Sequence, residues 1–336
     1  MRTLSFWMSI VSLWVVTGLF VDGWAHTHGR VDETFFTPYH AILYSSLAAA
    51  TLVLGFAAFI NYRKGISWRY ALPSVYRSAA LGIPLFFLAG IFDLIWHEIF
   101  GTEVDVEALL SPSHLVLAFS GWLIVSSPFR EAWSDESVPY GRSPRAIFSL
   151  FISVIAMLSV LTFFLQFVHP IPTFYFFSGR GPAPETLGWW ALQELGIVSI
   201  LLNSALIAGF VFFIMKRWRL PLGSYTSILA INGFAMGFVS DTGISIQYLA
   251  TMAVIAYAGA GLIIDILVFA VSGKQANQIP RVFAFSVPAV ISASVLGTFA
   301  IIEGLWWSIH LWLGVIFMSG IGGIFLHKLS SGKENA

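Results

Sequence analysis

Apolar runs of about 20 residues recur from one end of this chain to the other, the length an α-helix needs to cross a bilayer. Ten such spans can be read, at roughly residues 4–22, 39–61, 77–99, 112–128, 146–168, 187–215, 221–240, 245–272, 281–302 and 306–327. Hydrocarbon offers the backbone no water, so the polar groups of each run must bond internally. The runs are continuous rather than alternating, which favours helices over a β-barrel. The expected fold class is all-α, a polytopic membrane helix bundle whose principal partner is the lipid bilayer. Composition agrees where it matters. Only 10% of residues are charged, against about 25% in soluble domains. The absence of cysteine removes disulfides, thiolate metal sites and cysteine nucleophiles.

The spread of Lys and Arg orients the bundle. Arg63, Lys64, Arg69, Arg77, Arg130, Arg142, Arg145, Lys216, Arg217, Arg219, Lys274 and Arg281 follow the even-numbered spans, and Arg2, Lys328 and Lys333 sit near the two ends. Arg30 and Arg180 alone fall on the opposite side. The positive-inside rule then predicts both termini in the cytoplasm of a multi-pass cell (inner) membrane protein. The first span has no clear small-x-small cleavage site, so it is expected to be retained.

Within the first four spans one device occurs twice. Asp22 and His26 are followed by Glu33, then Thr37-Pro38-Tyr39-His40; Asp93 and His97 are followed by Glu107, then Ser111-Pro112-Ser113-His114. Asp and His four apart share one helix face. Thr37 or Ser111 suits an N-cap and Pro38 or Pro112 the first helical position, which sets His40 and His114 in the first turn. An antiparallel hairpin would therefore gather Asp, His and His at one membrane depth, on the non-cytoplasmic face. The expected organisation is a pair of motif hairpins over 1–128 and an accessory bundle over 129–336, within one continuous membrane domain.

Two histidines and a carboxylate suit copper, iron or zinc. The expected ligands are Asp22, His26, His40, Asp93, His97 and His114. Glu33 and Glu107 are read as supporting acceptors or solvated residues rather than ligands. Polar side chains also collect at outer helix ends for ordinary reasons, and a single D-x3-H would carry little weight. Its duplication gives the reading its force. One dinuclear centre and two separate sites both remain open.

Other polar residues are weaker signals. Glu303 and His310 flank one outer turn; His169 could cap the end of the fifth span, and Asp241 the start of the eighth. Asp265 lies deep in the eighth span and requires a partner or a cavity, for proton relay or for interhelical bonding. Loop 169–186 is rich in Pro, Gly and aromatic residues, as a rigid cover or an interfacial connector would be.

The spacing of Asp22, His26 and His40, with Phe36-Thr37-Pro38 ahead of the last histidine, resembles the C subunit of the copper membrane monooxygenases. Asp93, His97 and His114, with Ser111-Pro112, match that family's related second motif, although its first position is Asn there and Asp here. Both loops are longer than the family's, and ten spans exceed its subunit. The resemblance stops at His114. It implies copper as cofactor, dioxygen-dependent oxidation of a small uncharged substrate, and a cupredoxin-type module supplied by another chain. A metal or ion permease and a non-catalytic membrane scaffold are the competing functions. Polar residues crossing the bilayer would mark a permease, and spans 1–4 offer few below the motif.

Overall fold

A computed structural model describes residues 2–30, 37–101, 105–134, 144–218, 220–271 and 280–330. Glu33 and Phe36 lie outside the described residues, as do Arg142, Arg219, Lys274 and Lys333. The chain forms two compact units, residues 1–164 and 165–336. The first contains α1 (Arg2–Thr27), α2 (Pro38–Arg63), α3 (Arg77–Phe100), α4 (Asp105–Leu110), α5 (Pro112–Val125), α6 (Ser127–Ser134) and α7 (Pro144–Phe164). The second contains α8 (Leu187–Arg217), α9 (Ser224–Val239), α10 (Ile246–Val271), α11 (Arg281–Ile302) and α12 (Ile309–Ser330). The first packing unit thus continues past the motif hairpins to include α7.

Among the described residues, eight helices are long and apolar enough to cross a membrane. The remaining two expected spans form the shorter helices α5, 14 residues, and α9, 16 residues. At 1.5 Å per residue these reach only about 21 and 24 Å, short of a hydrocarbon core of about 30 Å. The chain breaks after Val125, where Ser126 ends α5 and Pro128 follows in the first turn of α6. The fifth expected span also ends early, at Phe164, and continues as a 3-10 turn over Gln166–Val168.

In the first unit α1 pairs with α2 and with α7, and α3 pairs with α5. Small residues allow the close pairings: a methyl at Gly18 would collide with the Leu43 backbone, and one at Gly82 with the Ser120 carbonyl. Without a hydrophobic drive between helices in lipid, such close approach and hydroxyl bonding hold the bundle. Ser12 Oγ reaches Val125 O at 3.3 Å and Ser153 Oγ reaches the same carbonyl at 2.6 Å, tying α1, α5 and α7 together. Below the motif the unit is therefore not purely apolar, as the sequence suggests; it buries small hydroxyls. Ser9, Ser12, Ser46, Ser120 and Ser153 all donate to backbone carbonyls, the bonding of helix packing rather than of an open polar path.

The second unit is built around α9 and α10. Gly233 and Gly237 on α9 press on Ala253 and Ala250, and Gly261 on α10 presses on Tyr225 and Thr226 at the start of α9. Loop 169–186 covers this unit. Ile171, Phe174, Phe176 and Phe177 are buried, Gly179 N donates to Gly304 O at 3.1 Å, and Trp307 Nε1 donates to Phe176 O at 2.9 Å. It is a fixed lid over its own unit.

Candidate metal centres

Each hairpin assembles its three expected ligands from local rules. Asp22 and His26 stand one turn apart near the end of α1, and Thr37 Oγ1 caps α2 by accepting from His40 N at 3.1 Å. Pro38 takes the first position, so His40 falls in the opening turn with its ring toward α1. The second hairpin repeats this with Asp93 and His97 on α3, and with Ser111 capping α5 by accepting from His114 N at 3.4 Å. The cap and proline place each last histidine where chain geometry alone would leave it free to wander.

The donor atoms converge in both hairpins. His40 Nε2 lies 3.4 Å from Asp22 Oδ1 and 3.4 Å from His26 Nε2, and His26 Nε2 lies 3.9 Å from Asp22 Oδ2. Asp93 Oδ1 lies 3.6 Å from His97 Nε2 and 3.4 Å from His114 Nε2. Within each triad one donor atom per residue lies inside 4.8 Å of the others. Two donors bound tetrahedrally at about 2.1 Å from one ion stand about 3.4 Å apart, so the spacing fits a shared cation.

Bonding around the triads is compatible with a shared cation. The Asp93 carboxylate is buried, and neither Asp93 Oδ1 nor Asp22 Oδ1 accepts a hydrogen bond of good geometry. The side chains of His97 and Ser113 bond the Asp93 carboxylate, so its buried charge is partly rather than fully satisfied. His97 Nδ1 sits 3.3 Å from Gly101 O. A carbonyl can only accept, so in the neutral ring Nδ1 holds the proton and Nε2 turns a lone pair toward Asp93. His114 Nδ1 is held by Ser111 Oγ at 2.7 Å, which again directs Nε2 inward. In that tautomer of His97 a lone pair faces a carboxylate oxygen, a contact that a proton or a metal would relieve. Both fit tests, donor type and unbonded oxygen, are met by a divalent ion.

The remaining sequence candidates divide clearly. Glu107 lies on the short helix α4 and is exposed, which fits a solvated residue. His169 is the C-cap of the 3-10 turn that ends the fifth span, its N donating to Gln166 O at 3.1 Å, but its side chain is engaged elsewhere. It is buried in the second unit, with Nδ1 accepting from Ile171 N at 3.3 Å and Nε2 lying 3.2 Å from Tyr257 Oη. Tyr257 Oη donates in turn to Asn203 Oδ1 at 2.8 Å, and burial pushes the His169 imidazole down to about 3. Asp241 is five residues ahead of α10 rather than at its cap, accepting from Gly243 N at 3.3 Å in a local turn. Glu303 accepts from the Tyr248 hydroxyl and His310 is exposed; neither joins a metal-type cluster among the described residues.

Asp265 has the interhelical partners that the sequence left open. It accepts from Tyr225 N at 3.2 Å, Thr226 N at 2.9 Å and Thr226 Oγ1 at 2.7 Å. The N-cap of α9 is Gly223, with φ 88°, which has no side chain to offer. Asp265 supplies the missing cap from the neighbouring helix.

Sequence reasoning missed Tyr44, whose ring lies 6.5 Å from that of His40 and whose hydroxyl abuts α3 at Gly90. Its i+4 spacing from His40 was a legible signal; its contact with α3 was not. Comparison of the chain with family models, with curated proteins and with solved structures finds no match.

Proposed function

We propose that the first unit is a metal-binding module that holds one divalent ion in each hairpin, and that the metal is copper. The observation that carries this is the pair of buried carboxylate oxygens, Asp22 Oδ1 and Asp93 Oδ1, each facing imidazole nitrogens without a hydrogen bond of its own. His26 and His40 with Asp22 would hold one ion; His97 and His114 with Asp93 would hold the other. Ser111 and Gly101 fix the ring orientations at the second site, which lowers the cost of ordering the ligands.

Nitrogen-rich donor sets bind copper more tightly than the other first-row divalent ions, and the motif resemblance points the same way. Three protein donors leave coordination positions open, as in reactive rather than purely structural sites. Copper bound there would supply one-electron redox chemistry toward dioxygen. The part this chain would play is to hold the ligands at one depth of an apolar bundle, where a small uncharged substrate can partition from lipid. The reading is thus a copper-dependent oxidoreductase subunit, oriented with its triads on the non-cytoplasmic face of the cell membrane and receiving electrons from a partner chain.

Elemental analysis and electron paramagnetic resonance of the purified full-length protein test this. About two copper ions per chain are expected, falling to about one in His26→Ala/His40→Ala and in His97→Ala/His114→Ala. Protein that takes up no metal from a copper buffer overturns the reading; zinc or iron in its place overturns the copper assignment alone.

A further inference from the structure

The residue just ahead of the last histidine is Tyr39 in the first hairpin and Ser113 in the second. Ser113 lies in the first turn of α5 and is fully buried. Its side chain bonds the Asp93 carboxylate, and its Oγ lies 3.2 Å from Ser111 Oγ. Ser111 Oγ lies in turn 2.7 Å from His114 Nδ1. The direction of each proton in this row follows from its acidic end. An ionised carboxylate can only accept, so Ser113 donates to Asp93. A hydroxyl has a single proton, so Ser113 accepts from its neighbour and Ser111 donates to it. Ser111 then offers only lone pairs, one to His114 N at 3.4 Å and one to the proton on His114 Nδ1. The neutral His114 ring therefore carries its lone pair on Nε2, the atom 3.4 Å from Asp93 Oδ1. The row starts at one expected ligand and ends at another. In the first hairpin a Tyr39 ring stands in place of the Ser113 hydroxyl, 6.3 Å from the Trp24 ring.

We propose that Ser113 is a positioning residue for the second metal site, aiming the Asp93 carboxylate directly and, through Ser111, holding His114 in the tautomer that presents Nε2 to a metal. The proposal rests on the metal-binding reading above. One hydroxyl thereby orders two of the three ligands before any ion arrives. The tautomer matters as much as the direction, since a ring with its proton on Nε2 must move that proton before Nε2 can coordinate. Removing such support from metal ligands weakens binding about 10-fold or more. The first hairpin has no serine at position 39, so the same hydroxyl row is not built there.

The test reads each site separately. Copper is titrated into the full-length His26→Ala/His40→Ala protein, so that the paramagnetic resonance signal reports the Asp93 site alone. Adding Ser113→Ala should weaken binding about 10-fold and alter the copper hyperfine splitting. Ser120→Ala removes another fully buried hydroxyl of α5, one that donates to the Val116 and Leu117 carbonyls, and should change neither. In the complementary His97→Ala/His114→Ala protein, Ser113→Ala should leave copper binding at the Asp22 site unchanged. An unchanged spectrum and affinity on adding Ser113→Ala to the first parent overturns the positioning role while leaving metal binding intact, as does an equal change with Ser120→Ala. An equal loss at the Asp22 site overturns it too, because it marks a general loosening of the bundle. Absence of copper from the His26→Ala/His40→Ala parent overturns the second metal site and the positioning role together.

Discussion

Both units bury ionisable side chains in an apolar bundle, and the triads of the first are treated in the opposite way to Asp265 and His169 of the second. In the second unit Asp265 accepts three hydrogen bonds from Tyr225 and Thr226, and His169 is bonded at both ring nitrogens. In the first unit Asp22 and Asp93 each leave an oxygen without a hydrogen bond, facing histidine nitrogens at 3.4 Å. A buried group that the protein itself satisfies is a fastening. One that the protein surrounds with further acceptors is a place for something positive. By this criterion Asp265 and His169 are structural and the two triads are candidate metal sites.

The contrast can be broken most directly at Asp265. Asp265→Ala removes three charge-assisted bonds and strands the first amides of α9, so a loss of about 3 kcal/mol is expected, the same with and without metal. Thermal unfolding in detergent measures it. If added copper rescued this variant, Asp265 would belong with the sites instead.

Asp93→Asn should behave in the reverse sense. Without metal the change is expected to stay within about 1 kcal/mol, because losing the buried charge relieves its desolvation while its bonding with His97 and Ser113 is weakened. With copper at a hundredfold excess over its dissociation constant, the native protein gains about 2.7 kcal/mol from each site. The variant should lose at least about 1.4 kcal/mol of that gain, for a tenfold weaker site. A metal-free variant destabilised as strongly as Asp265→Ala would abolish the distinction between the units.

The His169 network sharpens the comparison through pH. Burial lowers its folded value to about 3 from the ordinary 6.5. Between those values the unfolded chain binds a proton that the folded chain does not. The contribution is therefore fully present above pH 6.5 and falls as pH drops toward 3, at up to about 1.4 kcal/mol per pH unit. His169→Gln should flatten that part of the pH profile of stability relative to the unmutated protein, and should leave metal content unchanged. The smallest effect is expected at Glu107, which is exposed on α4. Glu107→Gln should change stability by less than about 0.5 kcal/mol and copper affinity by less than about twofold, as calorimetric titration would show.

The residues that were legible in advance share one property: their geometry is local. Asp22 with His26 and Asp93 with His97 follow from helical spacing, and His40 and His114 from a cap and a proline three and two residues earlier. Eight of the expected spans declare themselves by length and hydropathy. The expected spans overran α5 and α9 by taking in residues 126–128 and 221–223, because a hydropathy reading does not register a break at Ser126 or a glycine cap at Gly223. The side-chain partners of His169 and Asp241 were hidden for a related reason. Each lies where a cap could be, but a side chain's choice between a nearby helix end and a distant partner is not encoded in its own neighbourhood.

For the triads, the chain by itself determined which residues stand at the hairpin ends and on which helix face. Helix periodicity and capping act over four residues or fewer, so no knowledge of the fold was needed. Only the tertiary structure decided that the donor atoms close to about 3.4 Å, and that two carboxylate oxygens accept no hydrogen bond. The same is true of Tyr44, which reaches from one hairpin to Gly90 of the next. These depend on how helices distant in sequence pack, where a single small residue such as Gly90 sets whether a neighbouring ring can lie against the helix.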